Sequence, residues 1–149
     1  TRSNDGSRVL GDVYKRQVLI VDDELLIRKS IKNILRQMNI LAEEACDGLE
    51  ALTKIEERFE CPNCSKFLIV FMDLMMPNMD GFETCSNLLE MFDSVTDLDQ
   101  TLIPNIIICS AHDEESIRNS LNRNYLIKNF IPKPVGKSKI EKIISSFNI

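Results

Sequence analysis

Residues 67–81 read FLIVFMDLMMPNMDG, and the first six of them form the longest uninterrupted apolar run in the chain. A short run of β-branched, aromatic and aliphatic residues is typical of a strand that is buried on both faces. The run ends at Asp73, after which Pro77 and Gly81 indicate a loop. This stretch therefore predicts a buried strand that ends in a carboxylate at the start of a loop.

The same alternation of strand, polar residue and amphipathic helix extends in both directions from this stretch. Further strands are predicted at residues 18–21, 40–45, 105–109 and 129–131. Helices are predicted at residues 25–38, 49–55, 82–92, 114–122 and 137–147. Strands that alternate with helices favour a parallel sheet with helices on both faces. The predicted fold class is α/β, a flavodoxin-like (βα)5 three-layer sandwich with strand order 2-1-3-4-5.

The length of the chain and of its connections predicts one domain with two insertions. A chain of 149 residues fits a single compact domain. Residues 1–17 are polar and lack the apolar segment of a secretory signal, so they are predicted to be a tail, either a linker or residues added in cloning. The domain then spans residues 18–149. Its connections at 59–66 and 93–104 are longer than the fold needs, which indicates surface insertions.

Composition narrows the class of function. The chain has 18 basic and 23 acidic residues, a net charge of −5, and 44% hydrophobic residues, which is typical of a soluble globular protein. An acidic chain without a long basic run lacks the positive surface that binds nucleic-acid phosphates. Its longest apolar run is far short of the roughly 20 residues of a membrane span. We expect no direct nucleic-acid binding, no membrane span in this chain and a cytoplasmic location.

The five cysteines are expected to be reduced, because a chain of this length and apolar content needs no disulfide framework. Cys61 and Cys64 have half of a zinc-ribbon spacing, but no second pair follows at a suitable distance. Cys46, Cys85 and Cys109 lie on predicted strands and helices, where packing is the usual role of a small apolar side chain. No metal or redox role is expected for the cysteines, although the two loop thiols are able to oxidise in vitro.

Polar residues follow the predicted strands at the edge where ligands bind in an open parallel sheet. Asp22 and Asp23 follow the first strand, Asp73 the third, Ser110 the fourth and Lys133 the fifth. Strands one and three are predicted neighbours, so the three carboxylates form one cluster. Like charges about 4 Å apart repel by roughly 4 kcal/mol at an effective dielectric near 20. A divalent cation removes this repulsion, and a set of oxygen ligands favours Mg²⁺.

Lys133 and Ser110 add groups that suit a phosphoryl ligand, since an ammonium and a hydroxyl both donate to phosphoryl oxygens. A carboxylate is able to act as the nucleophile and form an aspartyl phosphate. Taken singly, each residue has an ordinary alternative: an acidic pair often caps a helix, and a serine often closes a turn. The hypothesis of a phosphoryl-transfer site depends on the conjunction of these residues. The only histidine, His112, is interpreted as a solvated loop residue, with proton transfer or water positioning as the alternative.

The segments VLIVDDE, VFMDLMMPNMDGFE, IIICSA and FIPKP resemble the signatures of response-regulator receiver domains, and the resemblance covers residues 18 to about 147. It implies that Asp73 accepts the phosphoryl group. It also implies that Asp23 binds Mg²⁺ directly, that Asp22 does so mainly through water, and that the carbonyl of Met75 is a further ligand. Lys133 is implied to contact a phosphoryl oxygen.

The resemblance further implies a conformational relay. Ser110 and Phe130 match the pair that carries the effect of phosphorylation to the surface formed by helix four, strand five and helix five. Phe130 lacks the hydroxyl of the tyrosine found at this position in many relatives, so its rotamers differ in packing alone. The bond between Lys133 and Pro134 matches one that is usually cis in the family.

The phosphoryl donor is expected to be another protein. The chain has neither a phosphodonor histidine on a helix nor a glycine-rich ATP-binding motif. The resemblance therefore implies a partner phosphohistidine, on a sensor histidine kinase or a histidine phosphotransfer protein. The predicted function is a signalling switch that catalyses only its own phosphorylation and dephosphorylation. We expect a monomer or a weak phosphorylation-dependent dimer, either a stand-alone regulator or the receiver of a hybrid histidine kinase.

Two rival functions are considered. An Mg²⁺-dependent phosphohydrolase of the haloacid dehalogenase type also uses an aspartate nucleophile at a strand end, but it needs a second aspartate where this chain has Met75. A receiver-like binding module that is not phosphorylated would lack one of Asp23, Asp73 or Lys133, and all three are present.

Overall fold

The protein is described here by a computed structural model, which covers residues 17–112 and 114–148. The predicted tail lies outside the described residues except for Gln17. That residue begins the first strand, where it pairs with Phe67.

Five strands and five α-helices alternate along the described chain. The strands are β1 (Gln17–Val21), β2 (Ala42–Ala45), β3 (Phe67–Asp73), β4 (Asn105–Ser110) and β5 (Ile127–Pro132). The helices are α1 (Leu25–Gln37), α2 (Gly48–Glu60), α3 (Gly81–Asp93), α4 (Glu114–Leu121) and α5 (Lys137–Ser146). No helix within residues 17–112 and 114–148 combines the length and the apolar character that crossing a membrane requires.

The sheet confirms the predicted order, β2-β1-β3-β4-β5, and every neighbouring pair of strands is parallel. Because β1 and β3 are adjacent at the centre, their carboxyl ends lie side by side, with Val21 paired to Met72. The next pairing places Asp73 beside Cys109 of β4, and Ser110 is paired with Pro132 of β5. The register therefore brings the polar residues of four strands to one edge.

Each face of the sheet is covered by its own hydrophobic core. On one face, Val18 and Ile20 of β1 pack with Ile31 and Leu35 of α1 and with Ile140 of α5. On the other face, residues of β3 and β4 pack against α2, α3 and α4; these include Val70, Met72, Ile106, Ile108, Ile55, Leu88 and Leu121. Buried strand residues thus alternate between two helical layers, which makes the sheet a rigid base for the residues at its edge.

The ends of several elements differ from the prediction. β5 begins at Ile127, two residues before the predicted start. The prediction missed these residues because Lys128 is a charged, exposed residue that interrupts the apolar pattern. Helix α2 continues to Glu60, so the first long connection is residues 61–66. The second long connection, residues 94–104, contains a short 3₁₀ helix at Gln100–Leu102.

The prediction that all cysteines are reduced is wrong for one pair, since Cys61 and Cys64 are joined by a disulfide. Cys61 caps the end of α2, and the backbone N–H of Cys64 donates to its carbonyl at 3.3 Å. This tight turn brings the two Cα atoms within 5.3 Å, a separation that a disulfide spans. Cys46, Cys85 and Cys109 are free.

Candidate functional site

Three carboxylates meet at the carboxyl edge of the sheet. One oxygen from each of Asp22, Asp23 and Asp73 lies within 4.8 Å of one from each of the others. Asp22 and Asp73 are buried, at 3% and 6% exposure, whereas Asp23 is exposed. The cluster therefore has two buried carboxylates at its base and one at its mouth.

The side chain of Lys133 reaches into this cluster. Its Nζ donates to Asp22 Oδ2 at 2.8 Å and lies 3.1 Å from Asp73 Oδ1. The backbone N–H of Lys133 donates to the carbonyl of Ser110 at 2.8 Å, and the peptide bond to Pro134 is cis, as the sequence resemblance implies. Lys133 is thus attached to β4 through its backbone while its ammonium contacts the carboxylates that follow β1 and end β3.

The close packing of these charged groups shifts the pKa values of Asp73 and Lys133. Burial and the charge of Asp22 raise the pKa of Asp73 above its ordinary value, and Lys133 offsets only part of the rise. Burial by itself lowers the pKa of Lys133, but the hydrogen bond and charge of Asp22, together with Asp73, raise it above its ordinary value. The lysine therefore stays charged, and the carboxylate cluster holds more negative charge than one ammonium neutralises.

Asp22 is fixed by several contacts. Its Oδ1 accepts from the backbone N–H of Glu24 at 2.9 Å, and its Oδ2 is held by Lys133. Its carbonyl accepts from Arg28 Nη1 at 2.7 Å, and Arg28 also pairs with Glu44 of β2 at 3.1 Å. Arg28 was not singled out from the sequence, because the contact depends on how α1 lies against β2.

Gly81 packs directly against the end of β3. Its N–H donates to the carbonyl of Leu74 at 2.8 Å. A Cβ atom at this position would lie 2.3 Å from the carbonyl oxygen of Asp73 and 2.8 Å from the Cα of Leu74. Only glycine allows this close approach, so the start of α3 packs directly against the backbone of Leu74, the residue after Asp73.

The loop between β3 and α3 is tied to the start of α2 by a contact that the sequence did not reveal. Asn78, at φ 66°, donates from Nδ2 to Asp47 Oδ2 at 2.8 Å. The other oxygen of Asp47 accepts from the backbone N–H of Glu50, and Gly48 N–H donates to the carbonyl of Met79. The carboxylate of Asp47 thus caps α2 and holds the loop at once.

The remaining residues singled out from the sequence differ in their degree of burial. Ser110 is buried, and its Oγ accepts from the backbone N–H of His112, whose side chain is exposed. Met75 lies in the loop after Asp73 with its side chain 61% exposed. Phe130 is half-buried against the core on the α4 side of the sheet, and the guanidinium of Arg118 lies 5.3 Å from its ring centroid.

The donor set suits a hard divalent cation such as Mg²⁺. All three clustered side chains offer carboxylate oxygens, which Mg²⁺ prefers. The nearby thiol of Cys109 does not compete, because burial raises its pKa to about 12 and keeps it protonated. Excess negative charge and oxygen-only ligands are the two properties that such an ion requires.

Fold and site together define a doubly wound α/β domain with a lysine-paired acidic site at the carboxyl edge of its sheet. The family model described as "Response regulator receiver domain" matches residues 18–145. The chain therefore belongs to the response-regulator receiver family of two-component signalling proteins.

Relatives of known name support this assignment. Chemotaxis protein CheY of Listeria monocytogenes is 30% identical over 126 residues, which are 83% of this chain and 91% of that protein. The probable transcriptional regulator ycf27 of Cyanophora paradoxa is 31% identical over 125 residues, which are 82% of this chain but 46% of the relative. Protein PilG of Pseudomonas aeruginosa is 36% identical over 70 residues, which are 47% of this chain and 47% of that protein. The chain thus spans about half the length of the ycf27 regulator that it matches.

Solved structures show the same fold. The CheX-CheY-BeF3-Mg²⁺ complex of Borrelia burgdorferi contains a chain with a TM-score of 0.69 and 30% identity, and the match covers 90% of each chain. Vibrio cholerae chemotaxis protein CheY4 has a TM-score of 0.71 at 22% identity, and the match covers 89% of this chain and 98% of that one. The predicted flavodoxin-like fold is confirmed.

Proposed function

We propose that Asp73 accepts a phosphoryl group from a partner phosphohistidine, in the presence of Mg²⁺, and that the domain acts as a reversible switch. The observation that carries this proposal is the position of Lys133 Nζ, 2.8 Å from Asp22 and 3.1 Å from Asp73 within the carboxylate cluster. A structural ion pair needs one carboxylate for one ammonium. Here one ammonium and three carboxylates leave a surplus of negative charge, which is suited to a metal and a phosphoryl group together.

The transfer reaction is balanced by groups on the two proteins. An oxygen of the Asp73 carboxylate attacks phosphorus, and the bond between phosphorus and the donor histidine nitrogen breaks. The nitrogen keeps the bonding electrons and returns to neutral imidazole after protonation. Hydrolysis later forms a bond from water oxygen to phosphorus and breaks the bond to Asp73, which releases inorganic phosphate and restores the carboxylate.

The residues of this chain supply positioning and charge. Asp23, Asp73 and the carbonyl of Met75 would hold the metal directly, and Asp22 would do so mainly through water. When bound, Mg²⁺ neutralises negative charge on the carboxylates and on the transferring phosphoryl oxygens. Lys133 Nζ moves from the carboxylate oxygens to a phosphoryl oxygen, and the Ser110 hydroxyl donates to another. Since the Ser110 Oγ already accepts from His112 N–H, its own proton is directed elsewhere.

The switch follows from those movements. Phosphorylation adds nearly two negative charges at Asp73. Ser110 and Lys133 are drawn toward that charge, and space opens for the ring of Phe130, which sits on β5 beside Ile108 of β4. Phe130 then leaves its contact with Arg118 of α4, and the surface of α4, β5 and α5 repacks. The two arrangements pre-exist, and the phosphoryl group shifts their populations.

The proposed partner is a sensor histidine kinase or a histidine phosphotransfer protein. A match to hybrid signal transduction histidine kinase E of Dictyostelium discoideum covers 82% of this chain and 6% of that protein, at 33% identity. Related domains therefore occur within much longer kinases. That relative supports the receiver of a hybrid kinase as one setting for this chain, and the CheY match supports a stand-alone regulator as the other.

The test is phosphorylation by a small phosphodonor such as acetyl phosphate, with and without Mg²⁺, followed by intact mass and gel mobility. Wild type is expected to gain one phosphoryl group only with Mg²⁺, and Asp73→Asn is expected to gain none. Asp80→Asn is the matched control, because Asp80 caps α3 outside the cluster. Labelling of Asp73→Asn, or no labelling of folded wild type with Mg²⁺, would contradict the proposal. Release of phosphate from unrelated phosphate esters would favour the phosphohydrolase instead.

A further inference from the structure

The turn that joins α2 to β3 carries a feature that phosphoryl transfer does not use. Its sequence is Cys61-Pro62-Asn63-Cys64, and the two cysteines form a disulfide. The turn follows the last residue of α2 and precedes β3, so it lies at the amino edge of the sheet, opposite the carboxylate cluster. A redox change there is therefore separated from the phosphoryl site by the length of a strand.

The disulfide is accessible from solvent. Pro62, Asn63 and Cys64 are exposed, and Cys61 is half-buried. Cys64 is the more exposed residue of the pair, so we expect a thiolate from solvent to attack its sulfur. The disulfide closes a loop with only two intervening residues. It therefore removes little conformational entropy from the unfolded chain and adds little to the stability of the folded state. Disulfides that are exposed and only weakly stabilised by the fold are the ones that undergo thiol–disulfide exchange.

Positive charge stands beside the pair. Lys66 Nζ donates to the carbonyl of Cys61 and lies 3.4 Å from the carbonyl of Cys64. A nearby ammonium favours the thiolate that is released when a disulfide opens. Arg58 Nη1 donates to the carbonyl of Ser65 at 3.0 Å, and its guanidinium lies 4.7 Å from the ring centroid of Phe67. The backbone on both sides of the bridge is thus held while the bridge itself is exposed.

We propose that Cys61 and Cys64 form a thiol–disulfide exchange site for small or protein dithiols and disulfides. A partner thiolate attacks the sulfur of Cys64, the Cys61–Cys64 bond breaks, and Cys61 leaves as a thiolate beside Lys66. A second thiol then attacks the mixed disulfide. The net reaction converts the bridge and two thiols into two cysteine thiols and one partner disulfide, and the reverse reaction closes the bridge.

The other cysteines supply internal controls within the same chain. Cys46 is exposed and free, and therefore reports how a single accessible thiol responds to the same redox buffers. Cys85 and Cys109 are buried, and burial raises the pKa of each thiol to about 12, so both are inert in the folded protein. Reversible closure of a disulfide within the folded chain is thereby confined to Cys61 and Cys64.

The first experiment equilibrates the full chain in glutathione buffers of graded ratio, quenches it with iodoacetamide without unfolding, and maps the alkylated cysteines by mass spectrometry. Cys46 is expected to be alkylated in reducing buffer and to carry one glutathione in oxidised buffer, because a single exposed thiol has no second cysteine with which to close a bridge. Cys61 and Cys64 are expected to become alkylated together as the buffer becomes reducing, and to be protected again on return to oxidised glutathione. Alkylation of both cysteines in oxidised buffer, or of neither in reducing buffer unless the protein is unfolded, would overturn the proposal.

The second experiment removes the resolving thiol. Cys61→Ser incubated with oxidised glutathione is expected to retain one glutathione on Cys64, whereas wild type resolves the adduct and retains none there. Cys46→Ser, as the matched control, is expected to behave as wild type at the pair. An absence of adduct on Cys64 in Cys61→Ser would show that this sulfur does not exchange. Because labelling of Asp73 is measured separately, this result does not depend on the proposed phosphoryl transfer.

Discussion

The ammonium of Lys133 lies closer to Asp22 Oδ2, at 2.8 Å, than to Asp73 Oδ1, at 3.1 Å. Lys133 therefore pairs mainly with the carboxylate that follows β1, although it also contacts the proposed nucleophile. A phosphoryl group on Asp73 offers it a stronger partner, since charge-assisted bonds to phosphoryl oxygens are among the strongest polar contacts. Asp22 and the phosphoryl group thus compete for the ammonium of Lys133. In the proposed switch, phosphorylation draws Lys133 away from Asp22.

Replacement of this lysine is expected to slow phosphorylation. Lys133→Ala removes the cation that stabilises the transferring oxygens, and the loss of one such group costs roughly 10²-fold to 10³-fold in rate. The rate of mass gain with acetyl phosphate and Mg²⁺ measures this effect. Lys142→Ala is the control, because Lys142 is an exposed lysine of α5. An unchanged rate in Lys133→Ala would remove Lys133 from the proposed chemistry.

Asp73→Asn is expected to stabilise the metal-free domain at neutral pH. Burial and Asp22 raise the pKa of Asp73 in the folded state. As pH rises from below the unfolded-state pKa, the unfolded chain loses the proton first, and stability falls until the folded-state pKa is passed. Asparagine avoids that loss. We expect Tm in EDTA to rise by a few degrees, since about 1 kcal/mol corresponds to roughly 2–4 °C for a domain of this size.

The rise in Tm caused by Asp73→Asn should vanish at low pH, where Asp73 of wild type is protonated in both the folded and the unfolded state. Asp23→Asn serves as the comparison, because Asp23 is exposed and its removal relieves less desolvation. Thermal unfolding between acidic and neutral pH measures both variants. If Asp73→Asn had a lower Tm than wild type at neutral pH, the ionised carboxylate of Asp73 would not destabilise the folded state, and the prediction would be wrong.

The bond between Asp47 and Asn78 is expected to support metal binding, because it holds the loop that carries the Met75 carbonyl. Asn78→Asp keeps a residue that tolerates positive φ but replaces the bond with repulsion. We expect Mg²⁺ affinity, measured by calorimetry, to fall several-fold. The double variant D47N/N78D exchanges the two groups, keeps a residue that caps α2, and is expected to recover most of the affinity. Equal affinities in all three proteins would show that this bond does not position the loop.

Gly81→Ala is expected to destabilise the fold and disturb Asp73, because the added Cβ overlaps backbone atoms of Asp73 and Leu74. A cost of about 1–3 kcal/mol is typical of such steric conflict in a packed region. Gly136→Ala is the matched control, since nothing lies within 4 Å of a Cβ there. It should change the free energy of unfolding by less than about 1 kcal/mol. Urea unfolding of both variants measures the difference, and equal costs would mean that α3 does not clamp the strand end.

Phosphorylation is expected to change the contact between Phe130 and Arg118. The guanidinium of Arg118 now lies 5.3 Å from the ring centroid, where the ring current shifts its resonances. When Phe130 turns inward, the side-chain NMR signals of Arg118 should move toward the positions seen in Phe130→Leu. The same signals in phosphorylated Asp80→Asn should follow wild type. Signals of Arg118 that stay in place on full phosphorylation would exclude this motion.

The apolar pattern predicted the α/β fold, which the sheet confirms, and also predicted which polar residues follow the strands at its carboxyl edge. Apolar runs that end in Asp22, Asp73, Ser110 and Lys133 specify strands, and parallel strands of known order bring their carboxyl ends to one edge. Both facts depend only on local pattern and on general rules of sheet topology. The cis bond at Lys133 and the arrangement of the carboxylates agree with this prediction.

Contacts between segments that local pattern does not relate depend on how the folded elements pack. Asp47 and Asn78 are 31 positions apart, and their bond depends on the distance between two loops that α2 and β3 set together. Cys61 and Cys64 are three positions apart in sequence, yet their pairing depends on the turn that follows α2. Hydrophobic periodicity specifies which elements form and which face they bury. It carries no information on the separation of polar atoms in loops, which the packed elements fix.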